Sequence, residues 1–133
     1  MKSERMRRLP ASPALTCLTL VVLALATGCD DSKERAIART GGDPDRGRAL
    51  IEQYGCSSCH TIPGIRDADS LVGPPLTRMA ARSYIGGVLT NTPDHMVQWV
   101  NNAPGVDPMT AMPNLGVTET DARDIAGYLY TLR

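Results

Sequence analysis

The apolar residues near the C-terminus recur at the spacing of an α-helix. Four of them fall at positions i, i+3, i+4 and i+7, namely Ile125, Tyr128, Leu129 and Leu132. Thr118 and Asp121 precede this stripe in the arrangement of a capping box, with Asp in place of the usual Glu. The pattern therefore predicts an amphipathic helix that begins after Thr118.

A second helix is predicted from residues 43 to 55. Asp43 and Pro44 are typical of a helix start, and Gly55 is typical of the position just after a helix end. Apolar residues at helical spacing lie between them: Ala49, Leu50, Ile51 and Tyr54.

The middle of the chain predicts one more helix over residues 93–101, with Thr92 as its cap, and a short helix over 76–81. Residues 84–91 are ambiguous because two glycines interrupt an apolar stretch. Segments rich in Pro and Gly are predicted loops: 61–75 and 103–115. No stretch alternates as a strand does, so the fold class predicted is all-α, with short helices and long loops.

The first 28 residues have the layout of a secretory signal, with basic residues followed by an apolar run over 14–26. That run is shorter than the roughly 20 residues of a membrane span. The small residues before Cys29 resemble a bacterial lipoprotein box, in which the Cys is lipidated. We expect residues 29–42 to be a flexible tether and 43–133 a folded domain, on the periplasmic side and anchored through Cys29. The alternative is ordinary cleavage and a soluble periplasmic protein.

The charge balance argues against a nucleic-acid partner. The full chain has 14 Lys+Arg and 14 Asp+Glu, and loss of residues 1–28 removes four basic residues and one acid, which leaves a formal charge of −3. Nucleic-acid binding calls for a basic face instead.

The motif Cys56-Ser57-Ser58-Cys59-His60 carries the chemistry. C-x-x-C-H is the pattern of covalent c-type haem attachment. Two thiols three residues apart on a helical turn share a face and can reach two vinyl groups on one haem edge. The adjacent His60 then supplies an imidazole nitrogen to the iron. The sequence predicts one covalently attached haem c.

Three other kinds of site could use the same motif. A thioredoxin-like pair expects a βαβ setting, which the pattern lacks. A zinc site could combine Cys56, Cys59 and His60 with the distant His95, but needs about four ligands. A structural disulfide is allowed in an exported protein, yet gives His60 no role.

A second axial ligand must come from elsewhere, and methionine raises the iron potential. Met79 and Met96 lie in apolar helical stripes, where core packing accounts for them. Met112 and Met109 lie in the loop before the last helix, and either can reach a cofactor. Met112 is preferred because Pro113 stiffens the backbone after it. A bis-histidine site using His95 is a further possibility.

Residues 43–133 resemble class I cytochrome c, the small mono-haem family. Gly47 resembles the glycine at which the family's N-terminal helix meets its C-terminal one, and Tyr128 and Leu129 resemble the Tyr-Leu pair that packs there. Ile51 departs from the family, which has an aromatic residue at that position. Met112-Pro113 resembles the family's axial methionine segment, and this resemblance selects Met112 over Met109.

The resemblance also implies roles for residues around the haem that do not bind its iron. Gly73-Pro74-Pro75-Leu76 resembles a family segment in which the proline carbonyl accepts a hydrogen bond from the axial histidine, so Pro74 would orient His60 and Leu76 would press on the haem. Trp99 resembles an aromatic residue that hydrogen-bonds a haem propionate. Arg82 and Tyr84 are further candidates for propionate contacts, although a solvated surface charge explains Arg82 equally well.

The function implied by the resemblance is single-electron transfer without an enzymatic reaction of its own. The expected partners are redox proteins: a quinol-oxidising complex, a terminal oxidase or a periplasmic dehydrogenase. The alternative is a cytochrome subunit that stays bound to a periplasmic oxidoreductase or terminal oxidase. Haem catalysis or gas sensing would require an open iron position.

Overall fold

The computed structural model describes residues 31–133, and most of its regular structure is helical. The α-helices are α1 (Asp31–Thr40), α2 (Pro44–Gln53), α3 (Pro93–Val106) and α4 (Glu119–Leu129), and there are two 3₁₀ turns, Cys56–Ser58 and Met79–Ala81. A small antiparallel hairpin pairs β1 (Tyr84–Ile85) with β2 (Leu89–Thr90). The predicted all-α class is confirmed, and the ambiguous segment 84–91 is this hairpin.

The predicted helix ends are formed by the side chains the sequence indicated. Asp43, Thr92 and Thr118 each accept a hydrogen bond from a backbone N–H two or three residues further on, as N-caps do. Gly55, with φ +70°, follows the end of α2 in the left-handed region that glycine favours. The helical path of α3 breaks at Asn102 (φ −155°, ψ 76°), directly after its predicted end.

The prediction of a flexible tether over residues 29–42 is wrong from residue 31 onward. Residues 31–40 form α1, which packs on α4 and buries Ala36 and Thr40. The sequence pattern does not predict this helix because only one apolar side chain in it, Ala36, is fully buried. Contacts with distant residues stabilise α1, and a local pattern does not report them.

Residues in and just after α1 make these distant contacts. The Arg39 guanidinium lies 4.3 Å from the centre of the Tyr130 ring, a cation–π distance. Lys33 pairs with Asp45 at 2.6 Å. Gly42, expected to end the tether, lies so close to α4 that a Cβ atom there would overlap the backbone carbonyl of Arg123. The segment before α2 is therefore part of the folded domain.

Helices α2 and α4 cross in close contact. A Cβ atom on Gly47 would overlap the carbonyl oxygen of Asp124, so the two backbones touch there as the resemblance predicts. Beside the crossing, Arg46 pairs with both Asp121 and Asp124, and the Tyr54 hydroxyl donates to Asp121 at 2.8 Å. The hydrogen bond from Tyr54 is the main cause that lowers the pKa of Asp121 and outweighs burial, which acts in the opposite direction.

Replacing Gly47 with Ala is expected to reduce the free energy of unfolding by about 2–3 kcal/mol, because the new methyl group must separate two backbones. Urea denaturation of the holoprotein, followed by far-UV circular dichroism, measures the change. Arg48→Ala is the matched control, since Arg48 is the next residue of α2 and is exposed. Equal stability of the two variants would contradict the close crossing.

The short elements between α2 and α3 are tied together by Asn91. Its side-chain amide donates to the carbonyls of Met79 and Arg82, at 2.8 Å each. The buried Tyr130 hydroxyl donates to the amide oxygen of Asn91 at 2.7 Å. Because Arg39 of α1 stacks on Tyr130, a continuous set of contacts joins α1 to the 3₁₀ turn at Met79.

Between residues 31 and 133, no helix combines the length and apolar character needed to cross a membrane.

Candidate cofactor site

A cleft of about 420 Å³ opens beside α2, the 3₁₀ turn at Cys56, α3 and α4. Its walls are largely apolar and include the buried side chains of Ile51, Met79, Met96 and Ile125. All predicted site residues within the described part of the chain line this one cleft: Cys56, Cys59, His60, Pro74, Leu76, Trp99 and Met112. Cys29 lies outside the described residues.

The 3₁₀ turn brings the two thiols and the imidazole together. The N–H groups of Cys59 and His60 both donate to the carbonyl of Cys56, at 3.2 and 3.0 Å, which closes the turn. The Ser58 hydroxyl donates to the Gly55 carbonyl at 2.7 Å and fixes the entry to the turn. Cys56 and Cys59 are not bonded to each other, and burial raises the pKa of the Cys56 thiol. At neutral pH this sulfur is therefore held as a thiol.

His60 is held by the loop that the sequence singled out. Its Nδ1 lies 2.7 Å from the Pro74 carbonyl oxygen, as the resemblance predicts. A carbonyl can only accept, so Nδ1 carries the proton and Nε2 keeps a free lone pair. The loop itself is fixed because Gly73 N–H donates to the Cys59 carbonyl at 2.6 Å and Leu76 N–H to the Thr61 carbonyl at 2.8 Å.

Gly73 forms a wall against the His60 ring, a role that sequence reasoning missed. A Cβ atom at residue 73 would lie 2.5 Å from Cε1 and 2.8 Å from Nδ1 of His60. These distances are shorter than van der Waals contact, so only glycine fits without displacing the ring. The Gly-Pro pair was the available sequence signal, but its partner 13 residues away could not be identified from local pattern.

The two loop methionines have different surroundings. Met112 is half-buried and lines the cleft, whereas Met109 is 90% exposed and does not. Met79 and Met96 also line the cleft, but both are buried in its apolar wall. The two methionines thus differ in burial, and the more buried one, Met112, is the ligand predicted from the sequence.

The remaining predicted contact residues, Trp99, Arg82 and Tyr84, also line the cleft. Trp99 lines it, and its ring lies against Gly86, where φ is +57° and a Cβ atom would overlap the indole. Arg82 also lines the cleft, but its guanidinium donates to the backbone carbonyls of Pro75 and Thr77, so it is not simply a solvated charge. Tyr84 is a partly exposed member of the lining.

The competing interpretations of the motif receive no support from the described residues. His95 does not line the cleft, and its Nδ1 lies 2.8 Å from the Thr90 carbonyl oxygen. From residue 31 to 133, no three His, Cys, Asp or Glu side chains are grouped so that they could hold a metal ion, as a zinc site would require. The sheet there has two strands of two residues each, not the βαβ unit of a thioredoxin-like pair.

The donor set and the walls of this cleft fit a covalently attached haem. The two thiols are of the kind that bonds to haem vinyl groups, the His60 imidazole has a free nitrogen, and Met112 offers a thioether, the second ligand found in cytochromes c. The apolar walls suit a porphyrin, and the cleft volume is within the roughly 300–1,000 Å³ range of pockets for sizeable ligands.

Comparison with known proteins gives the family. No solved structure matches the chain. Cytochrome c oxidase subunit 2 of Alkalihalophilus pseudofirmus (strain ATCC BAA-2126 / JCM 17055 / OF4) is 27% identical over 90 residues, which are 67% of this chain and 25% of that protein. The chain thus matches about a quarter of the length of this relative. The family model described as Cytochrome c matches residues 44–133. The chain therefore belongs to the cytochrome c family, whose domain carries a covalently bound haem c and transfers electrons.

Proposed function

We propose that the protein is an exported, membrane-tethered cytochrome that carries single electrons between redox proteins. The observation that supports this most is the gathering of Cys56, Cys59, His60 and Met112 around one apolar cleft, within the residues that the family model matches. The sequence has a single C-x-x-C-H motif, which favours one haem per chain.

We assign the residues around the haem as follows. Cys56 and Cys59 would hold it through thioether bonds, and His60 and Met112 would be the ligands of its iron. The haem iron supplies a one-electron ferric–ferrous couple. His60 is oriented by Pro74 and confined by Gly73, so that its Nε2 is presented to the metal in one tautomer. The soft Met112 thioether would favour the ferrous state and so raise the potential.

The remaining lining residues keep water away from the site and fix its shape. Leu76, Ile125 and Leu129 contribute apolar surface. Trp99 and Arg82 also line the cleft and would contact the polar edge of the cofactor. With His60 and Met112 both holding the iron, no position on it would be left for a substrate, and the protein would act by exchanging electrons across the mouth of the cleft.

A visible spectrum of the holoprotein tests this assignment. We expect the sharp reduced bands of a low-spin c haem and a weak far-red methionine-to-iron band in the oxidised protein. Carbon monoxide is expected not to bind the reduced protein rapidly at neutral pH. A high-spin reduced spectrum with rapid, stoichiometric binding of carbon monoxide would overturn the carrier function in favour of catalysis or gas sensing.

Gly73→Ala is expected to weaken the bond between His60 and the iron by about tenfold, because the methyl group displaces the ring from its Pro74 hydrogen bond. Protons compete with the metal for His60, so tenfold weaker binding raises the midpoint of acid conversion to the high-spin form by about 1 pH unit. An absorbance titration from neutral to acidic pH measures this midpoint. Thr77→Ala, an exposed change in the same loop, is the control, and equal midpoints in both variants would contradict the role of Gly73.

A second candidate function is that of a cytochrome subunit within a larger redox enzyme. The similarity to a cytochrome c oxidase subunit favours it. Co-purification distinguishes the two functions, because a subunit is isolated with oxidase activity after mild detergent extraction, whereas a free carrier is isolated alone.

We further propose that Cys29 is lipidated and holds the protein on the periplasmic side of the cell membrane. Only Asp30 separates Cys29 from α1, so a lipid there would be joined almost directly to the folded domain. A quinol-oxidising complex, a terminal oxidase and a periplasmic dehydrogenase are the partners that fit such a position. Cys29→Ser is expected to move the haem from the membrane fraction to the soluble periplasmic fraction, and an unchanged distribution would exclude this anchor.

A further inference from the structure

Most of the large exposed apolar side chains of the described region line the cleft or lie next to residues that do. There are seven of them, and all except Ile37 either line the cleft or lie within two residues of a residue that does. We call the other six the apolar rim: Leu71, Val72, Tyr84, Val88, Met109 and Leu115. Leu71, Val72 and Met109 are 80–90% exposed. Apolar side chains gathered in this way typically mark an interaction site.

The rim segments themselves carry no charged side chain, and the nearest carboxylate along the chain to Met109, that of Asp107, accepts a hydrogen bond from the Met109 N–H. These segments, 70–77, 83–93 and 108–118, contain no Asp, Glu, Lys or Arg. Among residues 31–133, Arg82 is the only Asp, Glu, Lys or Arg that lines the cleft, and its guanidinium is already bonded to the carbonyls of Pro75 and Thr77. The described ion pairs involve α1, α2, α3, α4 and one exposed loop pair, and none of them includes a rim residue.

We propose that the apolar rim is the docking surface for a redox protein whose own docking face is apolar and uncharged. This inference rests on the proposed electron-carrier function. A charged partner face would lose its hydration against the rim without gaining an opposite charge, which disfavours such a partner. Short-lived redox complexes use small interfaces, below roughly 1,200 Å², and a ring of six side chains around a cleft mouth suits that size.

Two other occupants fit the rim less well. Surfaces that insert into anionic membranes carry Lys or Arg beside their apolar residues, and the rim segments have neither. A permanent second copy would cover the mouth of the cleft on both molecules and prevent electron exchange with any other protein.

Electron self-exchange between oxidised and reduced holoprotein provides a defined test, because each molecule then presents an apolar, uncharged rim to the other. The protein is full-length and carries Cys29→Ser, so that no lipid interferes. Line broadening of the haem resonances in NMR spectra gives the rate. We expect a rate that changes by less than about twofold between 20 and 500 mM salt, since uncharged faces gain nothing from screening.

The rim variant is Leu71→Asp combined with Met109→Asp, because neither residue lines the cleft. It is expected to lower self-exchange by about tenfold or more at low salt, and added salt restores part of the rate. Ile37→Asp on α1 is the control, which adds one carboxylate at the exposed apolar residue outside the rim, and it is expected to exchange electrons at the parent rate. The visible spectrum and reduction potential of all three proteins should agree, which separates docking from damage to the haem site.

Several results would overturn this inference. One is a parent rate that depends steeply on salt. Another is a rim variant that exchanges as fast as the Ile37→Asp control. Stable dimers in sedimentation, or flotation with vesicles of anionic phospholipid that the rim variant loses, would assign the rim to a second copy or to a membrane. If the holoprotein lacks a low-spin, redox-active haem, the proposed function itself fails, and the spectrum detects that failure first.

Discussion

Protein in which Ser replaces both Cys56 and Cys59 is expected to contain no covalently attached haem. A thioether forms when the S–H of a cysteine adds across a vinyl group, so that the sulfur bonds to one carbon, the hydrogen bonds to the other, and nothing is released. A serine hydroxyl is far less nucleophilic than sulfur and does not replace it here. Since the structure brings both sulfur-bearing residues to the same cleft, we expect the loss to be complete.

Haem staining after denaturing electrophoresis measures this loss directly, because only covalently held haem remains with the chain. Intact mass spectrometry adds a count, and the parent protein should exceed the mass of the double variant by one haem, apart from the two sulfur atoms that oxygen replaces. Ser57→Ala is the control within the same motif, since Ser57 does not line the cleft. Covalent haem in the double variant, or its loss in Ser57→Ala, would contradict attachment through Cys56 and Cys59.

The fold could be predicted from sequence where local chemistry decides it. Asp43, Thr92 and Thr118 satisfy backbone N–H groups within three residues of themselves, so their sequence positions are sufficient to locate helix starts. The last helix could be predicted because apolar residues such as Ile125 and Leu129 recur at helical spacing. The turn at Cys56 was similarly accessible because its motif is contiguous.

Features that depend on distant residues could not be predicted in this way. Helix α1 is held in position because Arg39 stacks on Tyr130 and Ala36 is buried where α1 packs on α4. These contacts join positions about 90 residues apart along the chain. The fit of Gly73 against His60 likewise depends on the fold of the loop between them. The resemblance to a family supplied the Pro74 hydrogen bond, which spacing alone did not.

The contacts of α1 extend the domain beyond the residues that the family model matches. Arg39 stacks on Tyr130, Tyr130 donates to Asn91, and Asn91 holds the carbonyls of Met79 and Arg82 beside the cleft. Removal of residues 31–42 would therefore expose the apolar ring of Tyr130 and loosen one wall of the cleft. The segment is better treated as part of the haem domain than as a linker.

Met112→Ala is expected to lower the reduction potential by hundreds of millivolts, which is a substantial part of the roughly 0.8 V range over which axial ligands set haem potentials. The thioether stabilises ferrous iron, so its removal favours the ferric state. The far-red methionine-to-iron band should disappear, and the reduced protein should bind carbon monoxide. Spectroelectrochemical titration measures the potential and the band in one experiment.

Met109→Ala is the matched control, because it makes the same change three residues away in the same loop. Met109 is 90% exposed and lies outside the cleft lining, whereas Met112 is half-buried within it. The control should keep both the potential and the band. Met79 and Met96 are the other two methionines that could bind the iron, since both also line the cleft. If Met112→Ala keeps the band and Met79→Ala or Met96→Ala removes it, the methionine ligand lies in the apolar wall, and the loop methionine only covers the site.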